Sequence, residues 1–283
     1  MICFELDAMK MAAAEVFLGE NKRKMLCRLK LLLLMLPLAA VCLVTAGCGS
    51  GSDQAQVRFV HAIQNVGPMD IDITTPPSVV PLQVFTNVSF LGVRPNQPGY
   101  TPVDSGTDTI AGFLTGTTKV AFNSTALDLN GSQQYTVIAT GVVANGQNAS
   151  ILTIPDDIPN PVATNLAFRV INASPSGPDG TQGAVDVYIL LNPTNGPSGS
   201  PAFPAVAYQQ SGGYITLPYN PNNDTVAPGY TVFVTKAGST APPYIIAQGL
   251  SPTNGGAVRT IVLTDVQNGN TMSSTFLELS DLD

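Results

Sequence analysis

The chain has no tryptophan, one histidine (His61) and little charge: Asp, Glu, Lys and Arg make up 11% of its 283 residues, less than half the roughly 25% of an average soluble domain. Its four cysteines, Cys3, Cys27, Cys42 and Cys48, all lie in the first 48 residues. Everything beyond Cys48 therefore lacks the thiols for a disulfide framework or a cysteine metal site. Basic residues are scarce as well, since from Cys48 onward six of them face fifteen acids. Such a surface has no positive patch to neutralise phosphates, which argues against nucleic acid as a partner. Several patterns that carry chemistry are also missing: a Gly-x-Ser-x-Gly elbow, a glycine-rich phosphate loop between strand and helix, metal-ligand spacing and an Asp-x-Asp-x-Asp-Gly calcium loop. The expectation is a protein that is not an enzyme and carries no cofactor.

What is present begins with a leader. Lys22-Arg23-Lys24 and Arg28-Leu29-Lys30 form a basic segment, Leu31 to Val44 is apolar and uncharged, and Thr45-Ala46-Gly47 supplies small residues before Cys48. This is the layout of a secretory signal. The competing reading, a transmembrane helix, has only Leu31 to Gly47 with Pro37 inside it, short of the span of about 20 residues that a bilayer needs. The preface before Lys22 contains Glu5, Asp7, Glu15 and Glu20, which a basic segment does not need. Translation is expected to start at Met25, with Met11 as the other choice, rather than at Met1.

Ala46, Gly47 and Cys48 resemble the bacterial lipobox, with Thr45 standing where Leu is usual. That resemblance implies cleavage after Gly47 and lipid attachment at Cys48, by a diacylglycerol thioether and an amide-linked acyl chain. Several chains make a stable anchor where one is marginal, so the membrane is the expected partner. Gly49 rather than Asp after the cysteine implies, in a Gram-negative lipoprotein, sorting to the outer membrane, and the expected location is the outer membrane or cell surface. The next residues, Gly-Ser-Gly-Ser-Asp-Gln-Ala-Gln, read as a flexible tether.

Beyond the tether, short β-rich runs alternate with Pro, Gly, Asn and Asp clusters: Val57–Ala62, Met69–Thr74, Lys119–Asn123, Tyr135–Gly141, Ser150–Ile154, Phe168–Asn172, Ala184–Leu191, Tyr214–Leu217, Tyr230–Lys236, Val258–Asp265 and Thr275–Leu279. No long window carries the 3.6-residue period of an amphipathic helix. The low charge could suggest disorder, but 44% hydrophobic residues gathered in such runs supply apolar area for cores. The order of the runs repeats. Val57-Arg58-Phe59-Val60-His61-Ala62 is echoed by Phe168-Arg169-Val170-Ile171-Asn172-Ala173, Asp70-Ile71-Asp72-Ile73 by Asp186-Val187-Tyr188-Ile189, and Tyr135-Thr136-Val137 by Arg259-Thr260-Ile261. Pro155, Pro159 and Pro161 lie between the copies and favour an extended connector.

These openings, the Asp-Val-containing second strand and the late Tyr-Thr-Val strand resemble the tandem bacterial family catalogued as domain of unknown function 4397, over about residues 57–283. The resemblance implies a β-sandwich in an envelope or secreted protein and brings no activity with it. The expected fold is all-β: two tandem immunoglobulin-like, antiparallel β-sandwich domains after a cleaved signal peptide. Residues 1–47 are the extension and signal, 48–56 the lipidated tether, 57–160 the first sandwich and 161–283 the second.

Few polar groups stand out as candidates. His61 could serve as the base of a Ser-His-Asp set, or bond the turn that follows its strand, and Asn172 at the matching place favours the second role. Asp70 and Asp72 share a strand face and could offer oxygens to calcium, although Tyr188 replaces the later acid in the second copy. Arg58 with Asp70 or Asp72, and Arg169 with Asp186, are expected to form ion pairs that fix strand register. Tyr188, Tyr208, Tyr214, Tyr219, Tyr230 and Tyr244 concentrate in the second copy, where such rings either fill a core or anchor a partner. The leading functional expectation is a non-catalytic envelope lipoprotein making structural or adhesive contact. The alternative is a binder of glycan or another small ligand, and a hydrolase is the weakest of the three.

Overall fold

Residues 57–61 and 168–172 read as unbroken β runs rather than as the alternation of a half-exposed strand, and the reason lies in how the sheets stack. The computed structural model describes residues 53–141, 149–178, 183–191, 196–219, 230–242, 245–250, 254–268 and 271–282. Among them the first nine strands are β1 (Gln54–His61), β2 (Met69–Thr74), β3 (Leu82–Val88), β4 (Val93–Arg94), β5 (Thr101–Asp104), β6 (Gly106–Leu114), β7 (Val120–Leu129), β8 (Gln134–Gly141) and β9 (Ala149–Pro155). Eight more follow: β10 (Asn165–Asn172), β11 (Val185–Leu191), β12 (Phe203–Val206), β13 (Gln210–Pro218), β14 (Tyr230–Lys236), β15 (Ile245–Leu250), β16 (Val258–Asn268) and β17 (Thr271–Leu282).

Among the described residues the strands form four sheets, and the fold is all-β as expected. In the first half an outer sheet ordered β3-β2-β6-β7 covers an inner sheet ordered β4-β1-β8-β9, with β5 also paired to β1. The second half repeats the plan with an inner sheet β13-β10-β16-β17 and an outer sheet β12-β11-β14-β15. Both inner sheets contain one parallel pair, β1 with β8 and β10 with β16. The remaining ladders are antiparallel.

Three apolar clusters glue the layers. Phe59, Ile71, Phe85, Ile110, Phe122 and Val137 fill the space between the sheets of the first half. Phe168, Val187, Phe203, Val232 and Ile261 do so in the second. The third cluster joins the two inner sheets to each other, through Val60, Ile138 and Ile154 on one side and Ile171, Val262 and Leu279 on the other. Alternate residues of β1 and β10 therefore point into different cores, and both faces are dry. A strand buried on both faces is apolar at most positions rather than at alternate ones, and Arg58, His61, Arg169 and Asn172 are the buried exceptions in these runs. Ser52–Asp283 accordingly forms one compact unit.

Strand direction defines two ends of this unit. β1 and β8 start together, and so do β10 and β16. Thr140 Oγ1 donates to the Ala173 carbonyl at 2.5 Å and Thr264 Oγ1 to the Ala62 carbonyl at 2.9 Å, so the finishing ends of the two inner sheets lie side by side. The end at which the chain arrives at Gln54 is called proximal below, and the opposite one distal.

Candidate functional site

Polar residues in the middle of a dry layer must find partners or destabilise it. Arg58 and Arg169 are among the largest fully buried side chains of the molecule. The register explains where they reach, because Arg58 lies beside Thr136 on β8, and Arg169 beside Thr260 on β16. Arg58 Nε donates to Thr136 Oγ1 at 2.7 Å, and that hydroxyl donates to Asp156 Oδ2 at 2.6 Å. In the second half, Arg169 Nε donates to Thr260 Oγ1 at 3.0 Å, and that hydroxyl to Asp281 Oδ2 at 2.6 Å.

The two sets are crossed. Arg58 Nη2 lies 2.5 Å from Asp281 of the second half and 3.4 Å from Asp156. Arg169 Nη2 donates to Asp156 Oδ1 at 2.6 Å, and its Nη1 to the Pro155 carbonyl at 3.2 Å. The Arg58–Asp281 contact is a close approach of charges rather than an aligned hydrogen bond. Each guanidinium also lies over a ring, Arg58 over Tyr100 at 5.1 Å and Arg169 over Tyr214 at 4.6 Å. Those tyrosines donate to Asp156 at 2.8 Å and Asp281 at 3.0 Å. Burial works against the charge on Arg58, but Asp281 and Asp156 outweigh it and hold its pKa above the ordinary value. Burial, with Asp156 adding to it, pushes Tyr100 up; burial and then Asp281 do the same to Tyr214.

The expected pairing of Arg58 with Asp70 or Asp72, and of Arg169 with Asp186, is thus corrected. The arginines point away from the outer sheets and into the joint between the inner ones, where those aspartates do not reach. Asp70 instead clamps two loops, accepting from Asn87 N at 2.8 Å, Thr115 Oγ1 at 3.0 Å and Gly116 N at 3.2 Å. These donors, the Asn87 amide foremost, lower its pKa. Asp186 does the same, accepting from Ala205 N and Gly238 N, each at 2.7 Å. In both halves the clamped positions have positive φ, Asn87 at 50° and Gly116 at 72°, Ala205 at 49° and Gly238 at 79°. The carboxylate thus holds backbone that only glycine adopts freely. Asp72 stands on the same strand, and burial, followed by the charge of Asp70, raises its pKa.

His61 fulfils the strand-end role. Its Nδ1 accepts from Ile63 N at 3.2 Å, and Nε2 lies 3.3 Å from the Gly67 carbonyl. Asn172 bonds its turn alike, through Ser174 N at 3.1 Å and the Val206 carbonyl at 3.1 Å. Burial lowers the His61 pKa to about 4. Of the second-half tyrosines, Tyr188 is buried, Tyr214 belongs to the crossed network, and Tyr230 packs edge-on to Phe168 and donates to the Pro218 carbonyl. Tyr244 lies outside the described residues, as do Gly47 and Cys48.

Sequence reading missed Asp156, Asp281 and Tyr100, and marked Tyr214 only as a ring that fills a core or anchors a partner. The signal was there, since Asp156 and Asp281 stand at the ends of matching strands, 20 residues after Thr136 and 21 after Thr260. At the proximal end of the first half is an open cleft of about 620 Å³ lined with amides and acid, among them Gln54, Gln56, Gln133, Gln134 and Asp157. Among the described residues, no three His, Cys, Asp or Glu side chains converge as a metal set.

No curated protein matches the sequence. Among solved structures, the Bacillus anthracis TIE protein is 8% identical with a TM-score of 0.22; the match covers 81% of this chain, which spans only 44% of that one. A streptococcal virulence factor described for its alpha-glucan binding is 12% identical with a TM-score of 0.23, over 77% of this chain and 96% of that one. Both likenesses are too loose to carry an argument. The family match is of another kind: it starts at β1, passes through Arg58, Asp156 and Arg169, and ends in β11, short of the 57–283 that the resemblance implied. Over that segment, residues 55–188, the chain matches the model of the family described as Domain of unknown function (DUF4397).

Proposed function

We propose that the chain is a non-catalytic lipoprotein of the bacterial outer membrane or cell surface, which holds two β-sandwich domains as one stiff body for structural or adhesive contact. The observation that carries this reading is the crossed network. Two buried arginines, each paired with a carboxylate of the other half, clamp the sandwiches together, and a stiff joint is useful for presenting a surface at a fixed distance from an anchor. The polar groups that invited a chemical reading, His61, Asp70 and Asp186, are each engaged in holding turns and loops. Acyl chains on Cys48 would supply the membrane attachment. Metabolic labelling with a fatty-acid analogue tests the anchor: wild type takes up label and Cys48→Ser does not, and equal labelling would remove it. Labelling of intact cells with a membrane-impermeant reagent then separates outward display from a periplasmic position.

A second reading, a binder of glycan or another small ligand, draws support from the amide-lined cleft near Gln54 and Gln133, since amides present both donors and acceptors to hydroxyl groups. A glycan array distinguishes it, because a display module gives no selective signal.

A further inference from the structure

Apolar side chains left in water are unremarkable one at a time, but not when they gather at one end. Among the described residues seven large hydrophobic side chains are exposed. Six of them, Val79, Val80, Leu82, Val162, Leu191 and Leu282, belong to the proximal end. Leu82 pairs with Ile73 where β2 finishes, and Leu282 pairs with Val258 where β16 starts. Leu191 ends β11, and Val162 lies between β9 and β10. Only Val120, the first residue of β7, is distal. The most exposed of all are Val79 and Val80, at 89% and 71%. Their loop has a built shape, with Ser78 N donating to the Thr75 carbonyl at 3.0 Å and Val80 N to Ser78 Oγ at 3.1 Å.

The proximal end is also where the chain arrives from Cys48. Five residues, Gly49 to Asp53, separate that cysteine from Gln54, and fully extended they span roughly 18 Å. We infer that the proximal end rests on the bilayer that holds Cys48, with Val79, Val80 and Leu82 reaching among the lipid headgroups. This rests on the lipid-anchor reading given above. Among the described residues the exposed charges at this end, Asp53, Asp104, Asp128 and Asp157, are acidic, whereas the exposed lysines Lys119 and Lys236 are distal. Electrostatic attraction to anionic lipid therefore plays no part, and the surface that fits is a lipid face without net charge.

The chain has no cysteine after Cys48, so in the processed lipoprotein an introduced thiol is the sole labelling site. Val79→Cys and, as the distal control, Val120→Cys carry an environment-sensitive fluorophore on the full acylated protein, reconstituted in phosphatidylcholine vesicles. The expected result is a blue shift at position 79, with severalfold stronger quenching by nitroxide lipids than at position 120. Equal, water-like emission at both positions, with acyl chains on Cys48 verified by mass, overturns the inference while leaving the anchor standing. A mass without acyl chains overturns the anchor, and this inference with it. A blue shift at position 79 that grows with protein concentration in detergent and ignores nitroxide lipids assigns the patch to a second copy, and also overturns the inference.

Discussion

The two halves of the molecule solve the same problems, at one place with different residues. Where β1 ends, His61 bonds its turn, and where β10 ends Asn172 does so, each offering one acceptor to the amide two residues on. Asp70 and Asp186 clamp equivalent pairs of loops, but Asp186 is buried while Asp70 is partly open to water. The crossed network is shared more evenly, with one arginine, one threonine, one tyrosine and one aspartate from each half. What the comparison teaches is that the strand end keeps a hydrogen-bonding geometry and lets the residue vary, whereas the joint keeps the residues themselves. An arginine in a dry layer has no substitute of equal reach and charge.

The comparison breaks most visibly at the joint. Asp156→Ala removes a carboxylate serving Arg169, Arg58, Thr136 and Tyr100, and leaves buried guanidinium charge uncompensated; the expected loss is about 3–5 kcal/mol. Asp281→Ala is expected to fall in the same range. Urea unfolding should show either variant losing stability in one cooperative transition, and separate unfolding of the halves would contradict a shared joint.

The histidine sharpens the contrast next. An unfolded chain titrates His61 near its ordinary value of about 6.5, whereas the folded one holds it down to about 4. Between those values the unfolded state binds the proton that the folded state refuses, so stability is full above the upper value, declines as pH falls, and levels off below the lower one. The decline attributable to His61 is on the order of 3 kcal/mol. His61→Asn, which copies the second half, should remove that part of the pH dependence with little change at pH 7. Identical pH profiles for the two proteins would contradict this account.

The loop clamps come third. Asp186→Ala loses charge-assisted bonds to two amides in a buried setting, for about 1.5–3 kcal/mol, and Asp70→Ala should cost less because water reaches its donors. Thermal melts of the pair test the order. The smallest effect belongs to the threonines that cross the joint: Thr140→Val and Thr264→Val each remove one hydrogen bond, worth about 0.5–1.5 kcal/mol, and similar losses would confirm that the joint treats the halves alike.

The sequence made the strands of the inner sheets legible because burial on both faces forces runs that are apolar at most positions, and β1, β8, β10 and β16 were all marked out. It was silent on β3, whose exposed positions outnumber its buried ones, and on β6, where Gly112 is required by the ring of Phe122 lying where a Cβ would sit. The arginines were correctly singled out and wrongly partnered. Pairing by neighbouring strands assumes that charges meet across a ladder, but here they meet across a stack of sheets, a relation that local spacing does not encode. Asp156 lies 98 residues from Arg58 in sequence, and Asp281 more than twice as far. Only the recognition that the two copies pack back to back would have brought them together.

Because each guanidinium is neutralised by its neighbour's carboxylate, the joint works as a clasp that neither half closes alone. Cutting the connector between Pro155 and Asn165 would not release two self-sufficient pieces, since each would expose an apolar sheet face carrying a guanidinium that has lost the other half's carboxylate. The fragments should stay clasped after proteolysis, and either one made separately should be sticky and poorly soluble.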